Sequence, residues 1–141
     1  MAEPDPLKPT YVYKLTPSTT PPPSPLPSIL PVSPLDRSSG FIHLSTSLQV
    51  LNTLKFFFPS DPKVFVLRIP YSGDVEKNIR WEDPKAEVCG PRGGEGMFPH
   101  LYNGLKLGED EVDSVRVLER DLDKEDGWEE ALKNAEGWLV Y

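Results

Sequence analysis

Ser38-Ser39-Gly40-Phe41-Ile42-His43-Leu44-Ser45-Thr46 holds the densest set of local signals in the chain. Gly40 marks a turn, and Phe41, Ile42 and Leu44 supply the bulk that suits a pleated, buried surface. A short buried strand carrying one histidine is therefore expected. Thr46 stands three residues ahead of Gln49, the spacing of a capping box, with an apolar periodic run beyond it. The strand should turn directly into a capped helix. An imidazole there would lie near backbone N–H groups that favour anions.

Downstream of that stretch, Leu51, Leu54 and Phe58, with Val50 and Phe57 beside them, recur at helical spacing until Pro59 and Pro62 stop the run. Lys63 to Ile69 is a near-continuous apolar strand, so it should be central in its sheet. Pro70 to Lys77 reads as a turn or a short helical connection. Asn78 to Glu82 alternates polar and apolar residues as a strand does, and Asp83-Pro84 ends it. Residues 84–97 hold four glycines and two prolines around Cys89 and read as a loop. Its Gly93-Gly94-Glu95-Gly96 does not open a helix, so it is no dinucleotide fingerprint and is expected to serve as a flexible flap. Residues 97–107 include His100 in an apolar, strand-like context. A strand is expected from Val112 to Leu118, and weak helical periodicity runs from Trp128 to Trp138.

Upstream, Tyr11 to Leu15 alternates aromatic and aliphatic residues, again a strand. Residues 1–9 are proline-rich and expected to be disordered. From Thr16 to Pro34 eight prolines fall among serines and threonines, so this segment should be extended and unable to complete a ladder. A flexible surface insertion is the plain reading. Packing of Leu26, Ile29, Leu30, Val32 and Leu35 on the domain is the alternative. Short strands without regular βαβ alternation, with one strong and one weaker helix, make the fold class α+β.

The 141 residues suit one domain. A formal charge of −7 opposes non-specific binding to nucleic acid and to acidic membranes. A small anionic ligand remains compatible with it, because local arginines can outweigh net charge. No apolar run approaches the roughly 18 residues of a membrane span, and Met1 to Pro6 lacks the features of a secretory signal. The single cysteine forbids an internal disulfide and fits a reducing compartment, so the cytoplasm is expected and the nucleus stays open.

His43 and His100 are the two histidines. A histidine in an apolar run is more often a hydrogen-bonded core residue than a catalyst, yet imidazole is the side chain best suited to proton transfer near neutral pH. Their wide separation and the lone cysteine match no metal-ligand spacing, so no metal is expected. A Cys89–His100 nucleophilic pair lacks any sign of an activated thiol. Arg37 precedes the opening strand, and Arg80 and Glu82 share one face of theirs. Surface ion pairing is the ordinary alternative for each.

Taken together, Asp36-Arg37, Gly40-Phe41-Ile42-His43, Ser45-Thr46, Gln49, Arg80-Trp81-Glu82 and Phe98-Pro99-His100-Leu101-Tyr102, with Gly104 and Leu107 following, resemble the signature of the domain of unknown function (DUF) 952 family. Tyr11 to Leu15 is similar to that family's first strand. The resemblance implies a domain over residues 10–120, with the Pro-rich insertion at 16–34 as a departure from the family pattern. Residues 121–141 would then be an acidic, helical C-terminal extension.

It also implies an ADP-ribosyltransferase-like fold, a compact α+β core of two small sheets around an NAD-binding cleft. In that superfamily a histidine or arginine on an early strand holds a ribose of NAD, an aromatic residue or second histidine flanks the nicotinamide, and a late glutamate is frequent. By position, His43 takes the first role, Tyr102 or His100 the second, and Glu82 the third. Arg37, Ser45, Arg80 and Tyr102 would then bind the cofactor, with NAD or a related nucleotide as the ligand. Some RNA 2′-phosphotransferases of the superfamily use histidines and arginines instead, and Arg37, Arg80, His43 and His100 suit that scheme, although the acidic charge argues against RNA. The expected activity is cleavage or transfer at the ribose C1′. A non-catalytic small-ligand sensor using the same cleft and a protein-interaction module working through residues 17–34 are the alternatives.

Overall fold

Regular hydrogen-bonding segments in the computed structural model, which describes residues 8–92, 94, 96–124 and 127–141, build two three-stranded antiparallel sheets. The first sheet has the order β1-β3-β6, from Tyr11–Pro17, Lys63–Pro70 and Ser114–Glu119. The second has the order β2-β5-β4, from Ile42–His43, Phe98–Leu101 and Ile79–Glu82. Short helices fill the connections: α1 (Pro34–Ser39), α2 (Val50–Phe57), α3 (Gly73–Lys77) and α4 (Glu129–Asn134).

β3 is central, as its apolar run implies, because both its faces are covered. Val64 and Val66 point into a core with Tyr13, Leu15, Val50, Leu54, Leu118 and Trp128. Leu67 and Ile69 point the other way, into a core with Val12, Ile42, Leu44, Trp81 and Leu101. The first sheet is thus a middle layer, with α2 and the C-terminal segment on one side and the second sheet on the other. A bridge joins the layers: Tyr13 N–H donates to the Ser45 carbonyl (2.8 Å), and Ser45 N–H donates to that of Tyr13 (2.9 Å).

Local differences from the sequence reading have local causes. The extended segment was expected to run through Pro34, but Pro34 opens α1. Ser33 caps this helix by accepting from Asp36 N–H, proline suits the first turn, and Gly40 ends it in the left-handed region at φ 82°. The helix after Thr46 begins later, at Val50. Gln49 Oε1 does accept from Thr46 N–H at 3.0 Å, as in a capping box, but within a turn that precedes the helix. The helix N-terminus is therefore displaced along the chain from His43.

The Pro-rich segment has no strand or helix between Pro17 and Pro34, yet it is docked on the domain. Leu30 N–H donates to Leu107 O (2.7 Å) and Glu109 N–H to Pro27 O (2.9 Å), and Leu26 and Leu30 pack on the core, while Ile29 and Leu35 stay exposed. The segment from 121 onward contains α4, but it is more than an appendage, since Trp128 and Ala135 are each 1% exposed in the core beneath the first sheet. Tyr13 hydroxyl donates to Val140 O at 2.9 Å, tying the C-terminus to β1. Residues 1–7 of the expected disordered N-terminus, and Gly93 and Glu95 of the expected flap, lie outside the described residues. Lys8 pairs with Glu76 (3.1 Å) and Pro9 is buried.

Candidate functional site

Asp36 is placed by the caps of α1. The six residues between the Ser33 cap and the Gly40 stop leave it facing inward, 3% exposed. Its Oδ1 receives His43 Nδ1–H (2.7 Å) and His43 backbone N–H (3.1 Å), while Oδ2 receives Lys14 Nζ (2.6 Å). Lys14 also donates to the His43 carbonyl at 3.3 Å. Burial by itself would raise the Asp36 carboxyl, but the His43 hydrogen bond and the Lys14 charge outweigh it and hold the group below the ordinary range. An ionised carboxylate only accepts, so His43 carries its proton on Nδ1 and Nε2 is the nitrogen left for chemistry.

A second carboxylate–imidazole pair lies beside the first. The register of β2 on β5 sets His43 opposite His100, and that of β4 on β5 sets Arg80 opposite His100. His100 Nδ1 donates to Glu82 Oε1 (3.1 Å), which also accepts from the Tyr102 hydroxyl (2.5 Å). Glu82 Oε2 lies 3.9 Å from the Cys89 thiol, and Glu82 is 4% exposed. Burial lowers His100 from its ordinary value; the hydrogen bond to Glu82 opposes that, and nearby His43 adds to it. Burial and then Glu82 push the Tyr102 phenol up to about 12. The two imidazole centroids are 5.1 Å apart, and the Phe41 ring packs on both, at 4.5 Å from His43 and 4.4 Å from His100.

Part of this cluster forms the polar floor of a cavity of about 390 Å³. Lys14, Asp36, His43, Ser45 and His100 line it, together with aliphatic residues of the core. The Pro-rich segment supplies a wall through residues 20–23 and 30–35. Of the residues singled out from sequence, His43, His100 and Ser45 meet at the cavity. The Ser45 hydroxyl is already paired with that of Thr53 at 3.0 Å. Glu82 and Tyr102 stand behind His100. Arg37 is exposed on the last turn of α1, and Arg80 is exposed with its guanidinium 4.6 Å from the Tyr102 ring; neither lines the cavity.

Lys14 is the member that sequence reasoning passed over, and Asp36 and Phe41 entered it with no chemical role. Asp36 had a signal, a carboxylate between a Ser-Pro cap and a glycine stop, just ahead of the histidine. Lys14 had none, because its contact spans 22 positions of chain. Among the described residues, no cluster of three His, Cys, Asp or Glu side chains is placed to hold a metal ion. No helix among them is long and apolar enough to cross a membrane.

Residues 27–115 match the profile of a family described as a protein of unknown function (DUF952). The fold is similar to the crystal structure of protein CC0527 from Caulobacter crescentus, at 25% identity and a TM-score of 0.58, covering 84% of this chain and 92% of that one. The crystal structure of a double mutant of CC0527 is similar at 26% identity, TM-score 0.59 and the same coverage. The solution structure of CC0527 gives 26% and 0.56, covering 81% and 89%. No curated protein matches the chain.

Proposed function

The chain belongs to the DUF952 family, whose description assigns no activity, and from the side chains we propose an acid–base site for a ribose-bearing small molecule. The observation that carries this reading is the paired imidazoles: two rings 5.1 Å apart, each with Nδ1 committed to a carboxylate. With Nδ1 so used, Nε2 is the nitrogen each ring has left to accept, and both residues line the cavity. Two neighbouring acceptors suit two neighbouring hydroxyl donors, and the vicinal diol of a ribose has that form.

The narrower reading is an ADP-ribosyltransferase-like core acting on NAD or a related nucleotide. It is supported by the site's position at the junction of two small antiparallel sheets and by His43 at the end of an early strand. In the corresponding reaction the C1′–N bond breaks and the base leaves with its electron pair. Water or another acceptor bonds to C1′, and a histidine Nε2 takes the proton that the nucleophile releases. The oxocarbenium-like state between these events needs a nearby negative or polar group, and the polar group that this cavity supplies is His43, oriented by Asp36. Glu82 and Tyr102 would orient His100 and set its tautomer. A reducing compartment such as the cytoplasm is our placement for the protein, on the strength of its exposed free thiol at Cys89.

Titration calorimetry with adenosine, ADP-ribose and NAD, alongside chromatography for released base, tests the reading. Saturable binding that His43→Gln weakens at least about tenfold, with its unfolding midpoint retained, is expected. Binding without product identifies a sensor using the same floor. If no ribose compound binds, or His43→Gln binds like wild type, the reading fails.

A further inference from the structure

We infer that this cavity selects an uncharged, nucleoside-sized molecule over a dinucleotide, an inference that rests on the ribose reading above and puts a nucleoside in place of the NAD of its narrower form. The floor carries one cation and one anion, and they neutralise each other, since Lys14 Nζ lies 2.6 Å from Asp36 Oδ2. Beyond that pair the lining is mainly aliphatic, prolyl and aromatic, and its remaining hydroxyls, on Thr16, Thr20, Ser33 and Thr53, carry no charge. A phosphate brought against such a wall loses hydration and gains no counter-charge. The arginines that the resemblance assigned to the cofactor are exposed and off the lining, and a net charge of −7 adds a repulsive field. The neutral part of a nucleotide, base and sugar, meets none of these penalties.

Size points the same way. A volume of about 390 Å³ lies near the small end of ligand pockets, which span roughly 300–1,000 Å³. The wall that limits it is held firmly. Gly108 packs so closely on the carbonyls of Pro27 and Ser28 that a methyl group there would collide with them, and the Leu30–Leu107 and Pro27–Glu109 backbone bonds anchor the Pro-rich strap on either side. These contacts seat the strap against residues 107–109, beside the part of the wall that Leu30 to Leu35 supply.

The experiment is calorimetry on the full chain with adenosine, uridine, AMP, ADP-ribose and NAD at low and high sodium chloride. At least one nucleoside should bind about tenfold tighter than its charged counterparts, with an affinity nearly independent of salt. Val32→Arg, which adds a cation to the wall, should invert the preference toward AMP by a similar factor. The wild-type salt series carries the test if that variant does not fold. Tighter binding of ADP-ribose or NAD than of either nucleoside overturns this inference and leaves the ribose reading standing. Failure of every ribose compound to bind overturns both.

Discussion

Replacing Asp36 with asparagine keeps the shape of the side chain and removes its charge, so it isolates the electrostatic role of the α1 carboxylate. In the native protein Asp36 is 3% exposed and receives Lys14 Nζ at 2.6 Å and His43 Nδ1–H at 2.7 Å. Asparagine leaves the Lys14 ammonium, with a side chain only 13% exposed, without its counter-charge. Breaking one member of a buried pair costs about 3–5 kcal/mol, and the partial water access of Lys14 places this case near about 3 kcal/mol. In a domain of this size that lowers the melting temperature by roughly 10 °C.

Urea unfolding followed by tryptophan fluorescence measures it, with Lys14→Met and the double variant completing a cycle. The double variant should cost about 1–3 kcal/mol less than the sum of the singles, because removing both charges leaves neither stranded. The pH dependence has a definite sign. Asp36 is held below its ordinary 3.8, so its contribution is complete above that pH and is lost as pH falls through the folded value. The gap between wild type and Asp36→Asn should be steady from pH 7 to 5 and close below about pH 4. A loss under about 1 kcal/mol, or a strictly additive cycle, would refute the assignment of Asp36 as the charge that holds His43 and Lys14.

Other perturbations test separate parts of the structure. His100 lies below its ordinary 6.5 because it is buried, so the unfolded chain takes up a proton there that the folded one refuses. Wild-type stability should therefore fall as pH drops from about 6.5 toward the folded value, by at most about 1.4 kcal/mol per pH unit. In His100→Gln, urea midpoints between pH 7 and 5 should lose that slope; an unchanged slope would place the proton elsewhere. Gly108→Ala forces a methyl group against the Pro27 and Ser28 carbonyls. A cost of about 1–3 kcal/mol and faster proteolysis within residues 18–29 should follow, and neither occurs if the strap is not docked. Trp128→Ala should cost about 3–5 kcal/mol, since the ring is 1% exposed in the core under β3. A change below about 1 kcal/mol in denaturant unfolding would mean that the C-terminal segment is peripheral.

The family-level pattern was legible because it is local. Gly40-Phe41-Ile42-His43 and Phe98-Pro99-His100 each announce a strand and place a histidine on it, and both strands form. Glu82 and Arg80 were visible as a pair on one strand face, and both meet Tyr102. What escaped was which of the site's charges would be buried. Arg37 and Asp36 are neighbours in sequence, yet the geometry of one short helix sends the carboxylate inward and leaves the guanidinium in solvent. The Pro-rich stretch left two readings open for a related reason. Its composition excludes ladder hydrogen bonding but says nothing of whether a pair of leucines and two backbone groups will find partners near residues 107–109.

By itself the sequence determined the α+β class, the central place of β3 and the two strands that carry the histidines, because side-chain period and turn residues act within a few positions of chain. Tertiary structure alone decided that His43 and His100 face each other, that Lys14 and Asp36 neutralise one another, and that a proline strap walls the cavity. Each of those facts depends on strand register or on a contact between distant parts of the chain. Such contacts are selected by the packing of the whole core, which no local pattern encodes.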